Sequence, residues 1–332
     1  MLKIGRLSLT SRLILAPMAG ITDLPFRMIS RSFDCELAFA EMISARSLVY
    51  KSKKTMRMIS TAAGDRPLGV QLLGNDPLIM STAMEVLEDH DFDIIDLNAA
   101  CPVTKVTCRG EGAALLKEPR RLHGLLRTMV ERSDVPVTLK IRAGWDDACL
   151  NARDIALRAE DSGIAAVTIH GRTRLQRYGG SVNYGLIGNV KKALSIPVIA
   201  SGDALSPRLI AKLFSETGCD GVAIARGALG NPWIFRQTSE YLRKGTTSVM
   251  PEAEELVRTM LSHLNLCSDF YGEGVGNMIF RKFFLWYTRG IPGVKPLRQR
   301  AVLSATVAET KAIVRDLLYF RCDPAQAEKM AF

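Results

Sequence analysis

The chain has 332 residues, of which 47% are hydrophobic and 23% charged, a composition typical of a globular protein with room for one large domain and a smaller one. No segment approaches the about 20 consecutive apolar residues of a membrane span, and residues 1–10 lack the basic start and apolar run of a secretory signal, so we expect a cytoplasmic protein. The excess of 44 basic over 34 acidic residues, a net charge of +10, favours a polyanionic partner such as a nucleic acid, although a basic enzyme without one is an open alternative.

Eight short apolar runs follow one another as far as Ile224, and each ends in a polar or glycine-rich turn. Nearly continuous apolar runs of this length are typical of parallel strands that are covered on both faces. The runs are Leu13–Ala16, Leu37–Ala40, Leu68–Leu72, Ile94–Leu97, Val137–Ile141, Ala166–Ile169, Val198–Ala200 and Gly221–Ile224.

Helical patterns fill the intervals between these runs. Asp76–Pro77 combines a capping residue with a proline suited to the first helical position, and Ser206–Pro207 repeats that combination before a helix that Gly218 can end. The apolar residues of Ala152–Ala159 recur at helical spacing. Eight strand–helix alternations predict a (β/α)8 (TIM) barrel. A doubly wound open sheet is the alternative, which the count of eight and the lack of G-x-G-x-x-G after the first strand disfavour.

Beyond Arg243 the strand pattern stops. Residues 244–248 have the composition of a linker, and helical periodicity begins near Pro251, with a glycine- and proline-rich break around Gly290–Pro296. We therefore predict two domains, a barrel over residues 1–243 and a small helical domain over residues 244–332.

The predicted helical domain contains a basic run between Arg281 and Arg300 that has no acidic residue. Aromatic residues are interleaved with the cations, a combination suited to RNA, although the aromatic side chains could equally form the core of the domain. The basic residues are Arg281, Lys282, Arg289, Lys295, Arg298 and Arg300, and the aromatic ones are Phe283, Phe284, Trp286 and Tyr287.

The active site of such a barrel lies at the carboxyl-terminal ends of its strands, and every predicted strand delivers polar or backbone-exposing residues there. Glycines after strands seven and eight, with Arg226 beside them, suit the phosphate of a mononucleotide, unless they only shape turns. The rim residues are Ala16–Gly20, Glu41, Gln71, Asn98–Pro102, Lys140, Arg142, His170–Arg174, Ser201–Asp203 and Ala225–Gly227.

Two rim side chains are unusual for their surroundings. Lys140 lies in an apolar strand, where an unpaired ammonium group is costly. It could belong to a structural ion pair, form a Schiff base, or face an electron-rich cofactor. Cys101 stands in a strand-end loop before Pro102, a position that favours a proton donor over the apolar role usual for a lone cysteine.

The spacing of the seven cysteines predicts no metal centre. No two form a C-x-x-C pair and their number is odd, so neither a zinc or iron–sulfur site nor a disulfide framework is expected. The cysteines are Cys35, Cys101, Cys108, Cys149, Cys219, Cys267 and Cys322.

Three motifs stand in order along the barrel: A-P-M-A-G-x-T-D from Ala16, C-P-x-x-K-V from Cys101 and H-G-R-T-R from His170. Their combination resembles the tRNA-dihydrouridine synthase family, most closely its bacterial B-type members, and the resemblance covers nearly the whole chain. It departs from the family pattern at Ala99–Ala100, where a pair such as Met-Gly is usual, at Ser201, where asparagine is common, and at Ala225, where glycine is common. Further matching segments are Val70–Gly74, Asp96–Asn98, Gln176, Tyr178, Gly180, Gly202–Asp203 and Arg226–Trp233.

The resemblance implies an FMN-dependent oxidoreductase that takes electrons from NADPH and reduces the C5–C6 double bond of specific D-loop uridines in tRNA. Flavin N5 would give a hydride to C6, and Cys101, as the general acid, a proton to C5. Rival functions are an FMN enzyme for a small molecule, a lyase that uses Lys140 and an RNA-binding protein on an inactive barrel.

The resemblance also assigns residues to the cofactor and to the substrate, and we expect a monomer. The expected FMN ligands are Pro17, Met18, Ala19, Gln71, Lys140, His170, Ser201, Gly202, Asp203, Ala225 and Arg226. The candidate substrate and tRNA contacts are Asn98, Arg142, Arg172 and Arg174 at the rim, with Arg281, Lys282 and Arg298 in the helical domain.

Overall fold

A computed structural model describes residues 1–246 and 251–319 of the chain. Its centre is a closed barrel of eight strands, in which every strand runs parallel to its neighbours and the last strand pairs with the first. A short antiparallel hairpin, β1 (Leu2–Ile4) and β2 (Leu7–Leu9), precedes the barrel. The barrel strands are β3 (Leu13–Leu15), β4 (Leu37–Ser44), β5 (Leu68–Leu73), β6 (Ile94–Ala99), β7 (Val137–Arg142), β8 (Ala166–His170), β9 (Val198–Ser201) and β10 (Gly221–Ile224).

The barrel predicted from the sequence is confirmed, and each predicted apolar run coincides with a strand. The largest difference is at β4, which continues to Ser44 across a shift in register between Phe39 and Met42. Glu41 therefore lies within a strand, beside this irregularity, and not at the strand's end.

Helices cover the outside of the barrel, and the predicted capping residues act as caps. The Asp76 carboxylate accepts hydrogen bonds from the amides of Leu78 and Ile79, and Gly218 ends its helix with a φ of 64°. The helices before residue 246 are α1 (Leu24–Arg31), α2 (Ala45–Val49), α3 (Lys53–Met58), α4 (Pro77–Glu88), α5 (Thr104–Thr107), α6 (Pro119–Arg132), α7 (Ala152–Asp161), α8 (Tyr184–Ala193), α9 (Pro207–Thr217) and α10 (Ile234–Lys244).

The hairpin, which the sequence analysis did not predict, closes the amino-terminal end of the barrel. Leu2, Ile4 and Leu9 are each 1% exposed and pack on the inward-facing side chains at the bottom of the barrel, such as Phe39. Burial of an aliphatic side chain of this size contributes about 1.5–3 kcal/mol. The filled bottom leaves the carboxyl-terminal end as the place for a ligand.

After α10, the described residues form four further α-helices: α11 (Ala253–Tyr271), α12 (Glu273–Tyr287), α13 (Lys295–Leu303) and α14 (Val307–Asp316). The predicted break around Gly290–Pro296 separates α12 from α13. The predicted linker lies partly outside the described residues, and Cys322 lies entirely outside them. The domain boundary at residues 243/244 stays a prediction. None of the helices in the described ranges is long and apolar enough to cross a membrane.

The C-terminal helices pack on the start of α1 and on the loop that precedes it. The Phe26 ring stacks on Phe283 with 5.5 Å between ring centroids, and the buried His263 lies 4.3 Å from Phe283. The Tyr271 hydroxyl donates to the Asp23 carboxylate at 2.9 Å. These contacts join the helices to the segment that follows β3, one of the rim segments.

Candidate active site

The predicted rim residues of the middle strands lie side by side. Asn98 of β6 pairs in register with Lys140 of β7, and Arg142 of β7 with His170 of β8. His170 in turn pairs with Ser201 of β9. Because parallel strands end at the same edge, residues far apart in sequence meet at one end of the barrel.

A buried chain of hydrogen bonds leads from the barrel interior to the loop of Cys101. The Asp96 carboxylate accepts from the Thr138 hydroxyl at 2.6 Å and from Gln71 Nε2 at 2.7 Å. Gln71 Oε1 accepts from Asn98 Nδ2 at 2.7 Å. Asn98 Oδ1 then accepts from the backbone amides of Ala100 and Cys101, at 3.0 and 2.8 Å. The loop that carries the thiol is therefore anchored to residues of three barrel strands, β5, β6 and β7.

Arg142 secures the same loop from the other side. Its Nε donates to the Ala100 carbonyl at 2.7 Å, and its Nη1 donates to the carbonyls of Thr173 and Arg177 at 2.9 and 3.0 Å. The side chain is 2% exposed. Arg142, which the sequence analysis took as a candidate to read the substrate, thus connects the loop after β6 with the loop after β8.

Cys101 is a free, partly exposed thiol, whereas Cys35, Cys219 and Cys267 are buried. Burial raises the pKa of the Cys35 thiol to about 12, so that side chain stays a neutral apolar group. Of the cysteines at this end of the barrel, Cys101 is the one held by the rim network. An exposed neighbour, Cys108, ends α5 and lies outside that network.

Lys140 and His170 provide polar groups that the protein leaves largely free. Lys140 Nζ donates to Ser201 Oγ at 3.5 Å, a long hydrogen bond, and burial lowers the pKa of Lys140 to about 8 against the attraction of Asp96. His170 Nε2 is buried and has no hydrogen-bond partner. Burial, reinforced by the charge of Arg142, lowers the pKa of His170 to about 2, so its ring is neutral. An unpaired buried nitrogen is costly, which indicates a position for a ligand.

The loops after β8, β9 and β10 form a cationic corner. Both oxygens of Asp203 accept from Arg172, at 3.0 and 2.6 Å, and one accepts from Arg226 at 3.2 Å. The guanidinium group of Arg226 also lies 4.8 Å from the centre of the Tyr178 ring. Two cations share one carboxylate, so the corner keeps a positive charge suited to an anion.

The two glycines of this corner have different roles. A side chain at Gly202, whose φ is +111°, would come within 2.8 Å of the His170 ring. At Gly227 it would come within 2.1 Å of the Ala204 carbonyl, so this glycine is needed for packing between two loops. Of the two, Gly202 lies beside the unpaired histidine nitrogen, and a side chain there would displace the His170 ring.

The loop after β3 completes the rim. Pro17 and Met18 are partly exposed and Ala19 is exposed. The Gly20 amide donates to the Glu41 carboxylate and the Gly20 carbonyl accepts from Lys282 Nζ. Burial raises the pKa of Glu41.

The predicted RNA-contacting arginines and lysine have partners within the protein. Arg172 is 3% exposed and also donates to the carbonyls of Gly179 and Gly180. Arg174 donates to the Thr107 hydroxyl at 3.3 Å and stacks on Trp145 at 4.6 Å. In the helical part, Arg281 donates to the Ser304 carbonyl, Arg298 to the Leu285 carbonyl and Lys282 to Gly20.

Among the aromatic residues interleaved with that basic run, Phe283, Phe284 and Tyr287 are buried, as the alternative interpretation held. Trp286 is partly buried and packs edge-on against Phe283. Arg289 and Lys295 of the same run are exposed.

Asp96 was not among the predicted site residues, and Glu41 was named only as a rim residue without a role. Both are buried acidic residues within apolar strands, at 3% and 7% exposure. A buried charge in a strand is a signal for a functional residue that the sequence analysis used only for Lys140.

The barrel is closed and its amino-terminal end is filled. Its other end carries the polar rim, the Cys101 thiol and the cationic corner. These features define a barrel enzyme with its site at the carboxyl-terminal end of the strands. A family model for dihydrouridine synthases matches residues 14–320. The chain belongs to the dihydrouridine synthase family and is therefore an oxidoreductase, which confirms the resemblance recognised in its motifs.

Named relatives support the B-type assignment. "tRNA-dihydrouridine synthase B" of Pseudomonas putida is 40% identical over 298 residues, covering 90% of this chain and 88% of that protein. The protein of the same name from Xanthomonas axonopodis pv. citri is 38% identical over 315 residues, 95% of each chain. "Probable tRNA-dihydrouridine synthase" of Rickettsia bellii is 39% identical over 299 residues, covering 90% of this chain and 92% of that one.

Solved structures with the same fold include 6-hydroxypseudooxynicotine amine oxidase from Pseudomonas geniculata N1, with a TM-score of 0.58 and 14% identity, covering 79% of this chain and 52% of that chain. Histamine dehydrogenase from Rhizobium sp. 4-9 has a TM-score of 0.57 and 13% identity, covering 80% of this chain and 50% of that chain. At these identities the likeness concerns the barrel fold alone.

Proposed function

We propose that this protein is a B-type tRNA-dihydrouridine synthase that reduces the C5–C6 double bond of specific D-loop uridines in tRNA, with FMN as cofactor and NADPH as electron donor. The observation that carries the proposal is the anchored Cys101 loop beside the open polar groups of Lys140 and His170, in a chain of the dihydrouridine synthase family. A thiol at the same rim as an unpaired imidazole nitrogen and a weakly bonded ammonium group suits a reaction that needs both a proton and a bound cofactor.

The residues of the rim fit FMN. The buried His170 Nε2 lacks a partner, and Lys140 Nζ has only a long hydrogen bond to Ser201. The backbone at Gly202 packs directly against the His170 ring, and a Cβ there would lie 3.0 Å from Nε2. The ring would lie over Pro17, Met18 and Ala19, with Gln71, Lys140 and His170 at its polar edge. The phosphate would lie at the cationic corner, at Ser201, Gly202, Asp203, Ala225 and Arg226.

When bound, FMN supplies the hydride that the reaction adds to C6 of the uracil ring. Cys101 holds the proton that C5 receives, and Asn98 keeps the Cys101 backbone in position. Because donor and acceptor atoms must come within about 3–3.5 Å of each other, the uridine has to leave the tRNA stack and enter the rim. Asn98 Nδ2 and the guanidinium groups of Arg172 and Arg174 are the proposed contacts for the extruded nucleotide.

The C-terminal helices are the proposed tRNA-binding domain, with the boundary at residues 243/244. The sequence-based candidates Arg281, Lys282 and Arg298 donate to backbone carbonyls, so we propose the exposed Arg289 and Lys295 in their place as contacts for phosphates. We further propose that the protein acts as a monomer in the cytoplasm.

Mass spectrometry of tRNA tests the proposal. Purified protein and NADPH act on tRNA from a strain that lacks dihydrouridine, with Cys101→Ala and Cys108→Ala in parallel. We expect a two-hydrogen mass gain on a D-loop uridine fragment, reduced by about 10²- to 10⁴-fold in Cys101→Ala because a general acid contributes about that factor. Cys108→Ala should keep wild-type activity, since this exposed thiol lies outside the rim network.

The other outcomes separate the rivals. A yellow protein that NADPH reduces but that leaves tRNA unchanged indicates a small-molecule oxidoreductase. A colourless protein that FMN does not reconstitute contradicts the flavin assignment itself.

A further inference from the structure

The hydrogen-bond chain between Thr138 and Cys101 has a direction, and a single residue sets it. Each amide in the chain, Gln71 and Asn98, has one donating and one accepting end. The ionised carboxylate of Asp96 can only accept, so it selects the Nε2 end of Gln71. Gln71 Oε1 is then left to accept from Asn98 Nδ2, and Asn98 Oδ1 is left for the Cys101 loop.

The opposite orientation of the two amides would release the loop. Asn98 would then present its NH₂ group to the backbone N–H groups of Ala100 and Cys101, donor against donor. Two hydrogen bonds to the loop, at 3.0 and 2.8 Å, would be lost. The side chains of Gln71, Asp96 and Asn98 are 1–5% exposed, so water has little access to replace them.

We propose that Asp96 is a positioning residue for the proton-donation step: its ionised carboxylate fixes the orientation of Gln71 and Asn98 and thereby holds Cys101 where it protonates the substrate. The inference rests on the proposed function and deepens it. The Asp96 carboxylate accepts hydrogen bonds from Gln71 and Thr138, so its proposed effect on the loop passes through the Gln71 and Asn98 side chains.

The protonation state of Asp96 provides a readout. Burial raises the pKa of Asp96 to about 6, and the hydrogen bonds from Thr138 and Gln71 and the charge of Lys140 oppose that rise. Lys140, on β7, is the charged group that faces Asp96, while β5 contributes the neutral Gln71. A protonated carboxyl can donate as well as accept, so the direction of the chain is no longer fixed below that pH.

The experiment separates the two half-reactions by stopped flow on the FMN-loaded full-length protein. Flavin reduction by NADPH is measured first, and reoxidation by an unmodified tRNA transcript second. We expect Asp96→Asn, which is isosteric but can donate, to slow reoxidation by about 10- to 100-fold more than it slows reduction, because misplacing a reacting group by about 1 Å costs on the order of 10²-fold. Its effect on reduction acts through Gln71 and Lys140, the proposed flavin contacts. The wild-type reoxidation rate should fall below about pH 6, and Asp96→Asn should lack that acid limb.

Thr138→Val is the matched control, since it removes a buried hydrogen bond of the same carboxylate and leaves the charge. At pH 8 its reoxidation rate should stay within about threefold of wild type, while its acid limb shifts to higher pH because the Thr138 hydrogen bond lowers the pKa of Asp96. This shift tests the proposal even where Asp96→Asn fails to fold.

Equal slowing of both half-reactions in Asp96→Asn, or an acid limb that Thr138→Val does not move, would overturn the inference. Failure of the proposed function appears differently, because the wild-type protein would then bind no FMN or would not be reoxidised by tRNA.

Discussion

Gly202 brings the backbone after β9 against the ring of His170. A Cβ there would lie 2.8 Å from the ring carbon Cδ2 and 3.0 Å from Nε2, and the φ of +111° is one that other residues rarely adopt. The same ring nitrogen is the buried atom without a partner. A side chain at this position would displace the His170 ring, a proposed FMN contact.

Gly202→Ala should therefore impair FMN binding specifically. Gly218→Ala is the control, since Gly218 also has a positive φ of +64° but no atom within 4 Å of the added Cβ. We expect Gly218→Ala to cost about 1 kcal/mol of unfolding free energy through strain alone, with FMN affinity unchanged. Gly202→Ala should cost more and weaken FMN binding by at least about tenfold, equivalent to 1.4 kcal/mol, in a fluorescence titration. Equal FMN affinities in the two variants would contradict this role of Gly202.

The residue types at the rim were predictable because they are part of the sequence motifs. Their hydrogen-bond partners were not predictable from the sequence. Arg142 and Arg172 were predicted to contact the substrate, and in the structure both are buried and donate to carbonyls of neighbouring loops. A guanidinium group has five donors, and which acceptors it finds depends on loops that meet only in the folded barrel.

At the scale of elements, α1 is attached to the barrel by a buried ionic cluster. Arg27 donates to Asp65 Oδ2 through Nε at 3.0 Å and Nη2 at 2.7 Å, and Arg31 Nε donates to Asp65 Oδ1 at 2.9 Å. The Arg27 and Asp65 side chains are fully buried. The loop before β5 thereby fixes the helix that follows the rim segment after β3.

Asp65→Ala should destabilise the fold strongly, because it leaves the Arg27 charge buried without its counterion. Loss of one partner of a buried pair typically costs about 3–5 kcal/mol. Asp91→Ala, which removes an 85% exposed carboxylate 3.4 Å from Arg66, should change stability by less than about 1 kcal/mol. Chemical denaturation followed by circular dichroism measures the unfolding free energy of each variant. Similar denaturation midpoints for the two variants would contradict the expected difference in stability.

Most helices and strands were predictable from the sequence. Asp76, Ser206 and Gly218 act as the caps that their types and spacing predict, since capping depends on residues a few positions apart. The hairpin of β1 and β2 was missed because its strands have three residues each, too short for a periodic pattern.

At the scale of the whole molecule, the C-terminal helices contribute to the rim. Lys282 of α12 donates to the Gly20 carbonyl, and its charge lowers the pKa of the buried Asp23 and Glu41 against the larger effect of burial. Gly20 follows Pro17–Ala19, the segment proposed to lie against the flavin. Lys282 therefore connects the proposed tRNA-binding domain with the proposed cofactor loop.

Lys282→Met should weaken FMN binding by about tenfold, the value of one charge-assisted hydrogen bond, and leave tRNA affinity within about twofold. The exposed Lys295→Met should do the reverse, lowering tRNA affinity at low salt and leaving FMN binding unchanged. Filter binding of labelled tRNA and flavin fluorescence measure the two affinities separately. Weaker tRNA binding with unchanged FMN affinity in Lys282→Met would restore Lys282 as an RNA contact.

The sequence by itself determined the barrel, the order of its strands, the family and the location of the candidate site at one rim. These features depend on local patterns, apolar runs, caps and short motifs, whose physical causes lie within a few residues of one another. Tertiary structure alone decided which polar groups find partners. Gly20 and Lys282 meet across 262 positions, and the direction of the Asp96–Gln71–Asn98 chain depends on three residues from two strands. Hydrogen bonds and ion pairs require atoms within a few ångströms, and only the closed barrel with its docked helices brings such distant residues that close.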